Sequence, residues 1–228
     1  AALGELLSKW NVPSLALPYC ITMCLLIPAT LTLGGLQASG IGQKLFEAGQ
    51  TPGVWTSGEF VTAALNGIAQ VLWVDKPLTG ILYLIAVLLA SRIDVISVII
   101  GATVSTSVAI ALGLPKDLVL IGIYGYNAVL VMHVITRGFL INARSYLFAV
   151  IMAALTVVFG AGLRVIFAPL GIVSFYAIPY AVTCIVAFLA RNTFSNFIYV
   201  PAGNWGVPET IAKEFKLEQV SPDVPVAS

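Results

Sequence analysis

Six apolar runs follow one another along the chain, separated by polar segments, at residues 12–34, 77–91, 93–113, 118–136, 146–168 and 172–190. A helix that crosses a bilayer needs about 20 apolar residues, so this pattern predicts an all-α integral membrane protein with about six membrane helices. The composition agrees, because 59% of the residues are hydrophobic and only 9% are charged, against roughly 25% charged in soluble domains. The net charge of +1 gives no reason to expect nucleic acid, and the partner that the pattern predicts is the lipid bilayer.

One part of the chain departs from this pattern. Residues 59–75 (EFVTAALNGIAQVLWVD) are amphipathic and too polar for a helix surrounded by lipid, and the apolar run at residues 77–91 is short for a perpendicular crossing. Irregular backbone at membrane depth is tolerated only where protein buries it or water lines it. We therefore expect a re-entrant helix that leads into a short or tilted helix.

The basic residues divide unequally between the two sides that six crossings define. Four lie on one side, and seven lie on the other: Lys9, Arg92, Arg137, Arg144, Arg191, Lys213 and Lys216. Loops rich in Lys and Arg stay on the cytoplasmic or matrix side. This asymmetry predicts that both termini lie on that side.

Two short segments resemble each other. ALPYCIT (residues 16–22) and AIPYAVT (residues 177–183) share alanine, Pro-Tyr and threonine. Chance similarity of apolar helices is the alternative to an internal duplication, which is common in transporters and places the permeation site between the repeats. We interpret the chain as the end of a first repeat, a loop, the membrane domain of a second repeat and a polar tail, at residues 1–34, 35–58, 59–195 and 196–228. Most of the first repeat is thus expected to be missing from this sequence.

Several segments resemble the urea transporter family. GIAQVLWVDKPLTGILYLIAVLLAS (residues 67–91) is similar to the family's G-I-x-Q…N-P-x-x-G-I segment, and GATVSTSVAIALGL (residues 101–114) and GIYGYNAVLV (residues 122–131) resemble the helices that follow it. LLSKWNVPSLALPY (residues 6–19) resembles the end of a first repeat. The resemblance implies two inverted repeats around a continuous pore, passive transport of urea and a homotrimer with one pore per subunit. It also implies that the amide of Gln70 lies near the pore mouth.

The motif that lines the family's pore is altered here. The family's L-P-x-x-T-x-P-F places a threonine hydroxyl at the pore centre, whereas the matching positions are Ala16 and Ala177. The phenylalanine after the proline is replaced by Tyr19 and Tyr180, which offer hydroxyls in its place. With two hydroxyls lost and most of one repeat absent, we expect the chain alone not to conduct urea.

The segment GIYGYNAVLV places polar side chains inside an apolar run. On one continuous helix, Tyr124, Asn127 and Val131 share a face, while Gly122 and Gly125 allow a neighbouring helix to approach closely. Asn127 needs hydrogen-bond partners that lipid cannot supply. Two interpretations stay open: a residue beside the pore that braces the re-entrant helix, or a bond between helices unrelated to a pore.

The sequence offers nothing for catalysis or metal binding. The three cysteines lie in apolar runs, where a buried small hydrophobe is the better interpretation than a zinc ligand. The single histidine, His133, has no second ligand within helical reach. Since no nucleophile–base pair, phosphate-binding loop or carboxylate pair occurs, we expect no enzyme and no cofactor.

Two functions from different classes stay open. The first is a passive channel for urea or similar small neutral amides, whose missing half is supplied elsewhere. The second is a non-transporting accessory subunit that packs against other subunits of a larger membrane complex, for example in an organellar inner membrane such as the mitochondrial one.

Overall fold

The computed structural model describes residues 13–32, 53–167, 176–193 and 197–220, together with Glu5 and Lys9. Within these residues the chain is helical, with one isolated bridge between Phe139 and Tyr199 and no strand. The helices are α1 (Leu17–Thr32), α2 (Ser57–Ala69), α3 (Pro77–Ala90), α4 (Arg92–Ala111), α5 (Lys116–Leu120), α6 (Gly125–Gly138), α7 (Ala143–Phe167), α8 (Ile178–Leu189) and α9 (Pro208–Val220). The all-α class is therefore confirmed. The predicted loop lies mostly outside the described residues, and the domain boundaries stay predictions.

α2 and α3 form a bent pair. Thr56 and Glu59 cap the start of α2 through a reciprocal capping box, and a 3-10 turn (Gln70–Leu72) follows its end. Trp73 then adopts a left-handed conformation, and Pro77 begins α3, whose axis is bent by 69° from the preceding helix. The prediction of two separate helices is confirmed, and their re-entrant course in the membrane stays a prediction.

Few of the described helices are long enough to cross a membrane alone. α4 has 20 residues and α7 has 25, and the bent α2–α3 pair would be a third span. α6 and α8 are shorter, with 14 and 12 residues. The number of about six membrane helices thus stays a prediction, because the described helices supply two spans by length and composition, or three if the bent pair is one span.

The apolar run at residues 118–136 is not one helix, contrary to the sequence-based expectation. A turn at residues 121–124 divides it into α5 and α6, and Gly122 in this turn has a φ of +83°. A Cβ on Gly122 would collide with the backbone of Asn66 in α2. α2 and α6 also cross closely, because a Cβ on Gly67 would lie 2.9 Å from the Cα of Gly125. The predicted close approach at Gly122 and Gly125 is confirmed, and the prediction of a continuous helix is wrong.

α6 is the central helix of the described fold, and α2, α4, α7 and α8 pack around it. Asp94 of α4 is 2% exposed and forms an ion pair with Arg137 near the end of α6. His133 lies 3.4 Å from the same carboxylate. A buried charge in a membrane protein needs such a partner, so this pair fixes α4 against α6.

The segment after α8 folds back onto the helix ends. Two main-chain hydrogen bonds of 2.9 Å join residues 138–140 to residues 198–200. Glu209 of α9 accepts hydrogen bonds from the Ser91 hydroxyl (2.7 Å) and the Ile93 amide (2.9 Å), and so caps the start of α4. Burial raises the pKa of Glu209, but these hydrogen bonds outweigh it and hold the pKa below its ordinary value. Part of the predicted polar tail therefore packs against the membrane helices.

Candidate functional site

The two copies of the repeated motif have the same local conformation. Leu15 and Tyr176, which directly precede the copies, are both left-handed, with φ of 49° and 46°. Ala16 and Ala177 each accept a 2.9 Å hydrogen bond from the amide four residues later, and a proline is the second residue of each helix. Chance similarity of apolar sequences does not account for matching backbone conformations. The structure thus favours the internal repeat, and the symmetry axis that relates the copies stays a prediction.

Three large residues with left-handed backbone lie around this motif: Leu15, Trp73 and Tyr176. They are the three non-glycine residues with positive φ in the described part of the chain. The rings of Trp73 and Tyr176 are 5.5 Å apart, Tyr19 contacts Tyr176 edge-on at 6.0 Å, and Leu15 packs against the apolar cluster that contains Tyr176. Such conformations cost of order 1–3 kcal/mol each and cluster at functional sites, where the surrounding structure enforces them.

Asn127 and Tyr126 hold the second copy of the motif in place. The Tyr176 carbonyl accepts hydrogen bonds from the Tyr126 hydroxyl and from the Asn127 amide (3.2 Å), and Asn127 Oδ1 accepts one from the Tyr180 N–H (3.3 Å). Asn127 is 2% exposed, so these bonds satisfy a polar side chain in an apolar interior. Of the two interpretations of Asn127, these hydrogen bonds support the bond between helices, because they join α6 to Tyr176 and Tyr180. Since α6 begins at Gly125, Asn127 lies in its first turn and faces α8.

A different pair of amides braces the bent α2–α3 segment. Asn66 and Gln70, one helical turn apart, donate hydrogen bonds to the carbonyls of Leu120 (2.7 Å) and Ile121 (2.8 Å). These carbonyls end α5, so the two amides fix the turn before α6. Asn66 Oδ1 is buried and accepts no hydrogen bond from the described residues. The main-chain carbonyl of Gln70 also accepts a 3.0 Å hydrogen bond from the N–H of Trp73.

Tyr124 lies apart from the other predicted site residues. It precedes α6 and belongs to an apolar cluster with Leu118 and Val157, and its hydroxyl lies 3.4 Å from a guanidinium nitrogen of Arg164. The expected shared face of Tyr124 and Asn127 is wrong, because that expectation required a continuous helix.

The altered motif positions meet at the core. Ala177 and Tyr180 are buried, Ala16 is half-buried and packs against the same cluster, and Tyr19 is 48% exposed. The structure thus brings Ala16, Tyr19, Ala177 and Tyr180 together with Asn127.

The threonines that end each copy have different surroundings. Thr22 donates its hydroxyl hydrogen to the Pro18 carbonyl in its own helix, at 2.8 Å. Thr183 accepts a hydrogen bond of 2.8 Å from Thr156 of α7 and is fully buried. Thr183 is therefore enclosed within the fold, whereas the exposed oxygen of Thr22 keeps lone pairs that can accept a hydrogen bond.

Four neighbours of the motif were not predicted as site residues: Leu15, Trp73, Tyr126 and Tyr176. A left-handed backbone at a large residue has no sequence signal, because its side chain disfavours that conformation. The position of Leu15 and Tyr176 directly before the repeat is the one available hint.

The polar groups of this site are neutral. They are phenols, an indole, one amide and peptide groups, supplied by Trp73, Tyr126, Asn127, Tyr176 and Tyr180. Such groups can exchange hydrogen bonds with an uncharged solute. Among the described residues, no group of three or more His, Cys, Asp or Glu side chains is placed to hold a metal ion.

Fold and site together define a class: an integral membrane protein of helices whose repeated motifs meet at a neutral site, which is the architecture of transporters and channels. The chain matches the urea transporter family model over residues 1–192 and belongs to that family. It is 28% identical to urea transporter 1 of Mus musculus over 167 residues (71% of this chain, 42% of that protein). It is 23% identical to urea transporter 1 of Ovis aries over 214 residues (92% of this chain, 55% of that protein).

The chain spans about half the length of these relatives. The suspected family is confirmed, and membership in a transporter family agrees with the expectation that the chain is not an enzyme.

Proposed function

We propose that this chain forms part of the wall of a passive path for urea or a similar small neutral amide. The observation that carries the proposal is the convergence of Leu15, Trp73 and Tyr176 on the repeated motif, with Asn127 holding its second copy. Family membership supports the choice of cargo. The site residues proposed for the path are Gln70, Asn127, Ala16, Tyr19, Ala177 and Tyr180, to which the geometry adds Trp73, Tyr126 and Tyr176.

The chemistry of the site suits an uncharged planar solute. Selectivity in such paths comes from their width and from the hydrogen-bond groups that replace the solute's water. The rings of Trp73 and Tyr176 offer flat apolar surfaces, and phenol and peptide oxygens offer acceptors for N–H groups. A charge near the middle of a bilayer costs at least about 2.5 kcal/mol, so a wall of uncharged phenol, indole, amide and peptide groups favours neutral cargo.

The path requires a second half, which we place outside this sequence, either in a longer chain that forms a homotrimer or in a separate subunit. Ala16 and Ala177 offer methyl groups where the family motif has hydroxyls. Each hydrogen bond left unmade in a dry constriction costs about 1–3 kcal/mol, and two such losses slow passage by roughly a hundredfold or more. We therefore expect the purified chain alone not to conduct urea above the lipid background.

Stopped-flow light scattering under a urea gradient tests the proposal in two preparations. Membrane vesicles from cells that express the chain should show urea flux above that of matched vesicles without it, and Asn127→Ala should lower this flux. Liposomes that contain only the purified chain should match empty liposomes. Absence of extra flux in the vesicles would overturn the proposal, and fast flux from the chain alone would overturn the need for a second half.

One observation favours a second function, that of an accessory subunit in a larger membrane complex, for example in an organelle. Thr183 is fully buried, where its hydroxyl oxygen accepts a hydrogen bond from Thr156, so it does not compensate for Ala177. Purification in mild detergent separates the two functions. A homotrimer from membranes that show urea flux supports the path, whereas unrelated membrane subunits in fixed ratio, without urea flux, support the accessory role.

A further inference from the structure

Two exposed arginines lie at one end of the helical bundle. Arg92 is the first residue of α4, and Arg144 is the second residue of α7. Ser97 follows Arg92 by five residues and Tyr146 follows Arg144 by two, and their hydroxyls are 3.1 Å apart. At a rise of about 1.5 Å per residue, Arg92 lies about 7.5 Å and Arg144 about 3 Å from that contact along the helix axes. Both cations therefore sit close to the same membrane boundary.

The fold itself gives little reason for cations at these positions. A helix dipole favours negative charge at the helix start and opposes positive charge there. The neighbouring carboxylates have other partners, since Asp94 pairs with Arg137 and Glu209 binds the Ser91 hydroxyl and a main-chain amide. An external anion would compensate for the placement of both arginines.

An exposed apolar face continues from each arginine down its helix. On α4 the face follows at positions i+4 and i+7, and on α7 at i+3 and i+7, which align on one side of a helix. These side chains are about half exposed: Ile96 and Ile99 after Arg92, and Leu147 and Ile151 after Arg144. Each helix thus presents a cation above a strip of apolar side chains.

We propose that the starts of α4 and α7 bind phospholipids with anionic headgroups. The guanidinium groups of Arg92 and Arg144 contact the headgroup phosphate, and the apolar strips lie along the acyl chains. An acidic protein would use the arginines but leave the strips uncovered, so the combination favours a lipid. Juxtamembrane Lys and Arg residues attract anionic lipid in this way, and the proposal does not depend on urea transport.

Spin-labelled lipids test the proposal directly. The association of labelled phosphatidylglycerol relative to phosphatidylcholine is measured by electron paramagnetic resonance for the wild-type protein in phosphatidylcholine bilayers. We expect the wild-type protein to prefer phosphatidylglycerol. In the double variant Arg92→Gln/Arg144→Gln this preference should fall by about fivefold for each arginine removed. Arg92→Lys/Arg144→Lys should keep most of it. The control is Lys76→Gln. Lys76 is an exposed cation directly before α3, and the length of α3 separates it from Arg92, so this variant should leave the lipid preference unchanged.

Three results would overturn the proposal. One is an unchanged preference in the glutamine variant, and another is an equal loss in Lys76→Gln. The third is poly-glutamate binding in detergent as tight as binding to phosphatidylglycerol, which would assign the surface to an acidic protein. If the circular dichroism of the glutamine variant shows a loss of helix, the salt dependence of the wild-type lipid preference tests the proposal instead. The wild-type preference should fall as ionic strength rises from about 0.05 to 0.5 M, and a salt-independent preference would refute the role of the arginines.

Discussion

Replacing Asn127 with alanine removes the side chain that ties α6 to α8. Its two hydrogen bonds, to the Tyr176 carbonyl and from the Tyr180 N–H, are buried. The Tyr176 carbonyl keeps the Tyr126 hydroxyl as a donor, whereas the Tyr180 N–H lies in the first turn of α8, where a helix provides no partner. The loss of two net hydrogen bonds and one orphaned buried donor predicts a destabilisation of about 2–4 kcal/mol.

The free energy of unfolding in mixed micelles, titrated with sodium dodecyl sulfate, measures this loss. Asn204→Ala is the matched control, because Asn204 is exposed in a short 3-10 turn and surface substitutions change stability by less than about 0.5 kcal/mol. A second variant, Tyr126→Phe, removes the other donor to the Tyr176 carbonyl. The Asn127→Ala/Tyr126→Phe double variant leaves the Tyr176 carbonyl without either donor, so it should exceed the sum of the single effects by about 1–2 kcal/mol.

Two outcomes would refute this reasoning. If Asn127→Ala is as mild as Asn204→Ala, the amide does not hold the start of α8. If the two single effects add, the two donors do not share one carbonyl in the membrane. Either result would remove the support that we assign to the second copy of the motif.

Three further predictions follow from single contacts. Gly67→Ala should destabilise the fold by about 1–3 kcal/mol through overpacking against α6, whereas Gly58→Ala, with nothing within 4 Å, should be neutral or stabilising in the same titration. Trp73→Gly should relieve backbone strain and change stability little, yet lower urea flux in expressing vesicles. Because the folded pKa of Glu209 is lowered, its contribution is present above the ordinary carboxyl pKa of about 4.3 and is lost as pH falls through the folded value. Limited proteolysis should therefore release the C-terminal segment at acid pH, and already at neutral pH in Glu209→Gln.

Local signals were sufficient to locate several helices. The apolar run at residues 77–91 corresponds to α3 because Pro77 starts it, and the run at residues 93–113 corresponds to α4 because the Ser91 hydroxyl caps its first turn. The bend between α2 and α3 was likewise predictable from an amphipathic run followed by a proline. Each of these boundaries depends on residues that are adjacent in the sequence.

The turn before α6 depends on residues that are distant in the sequence. Gly122 permits a turn, but the amides of Asn66 and Gln70 hold it from α2, more than 50 residues earlier. The pattern of apolar residues contains no information about these contacts, so it predicts one helix from residue 118 to residue 136. The error then carried over to the expected shared face of Tyr124 and Asn127, because that face exists only on a continuous helix.

The left-handed residues are explained by two different causes, and the difference bears on function. Leu15 and Tyr176 have unlike side chains but the same backbone conformation, so that conformation belongs to the motif that follows them. Trp73 ends a 3-10 turn, a position where glycine usually supplies the left-handed residue. Glycine would relieve the strain there but would remove the ring that contacts Tyr176. A fold that needed only to end the turn would have no use for tryptophan at this position, so the ring itself, half exposed beside the motif, is the feature that the strain serves.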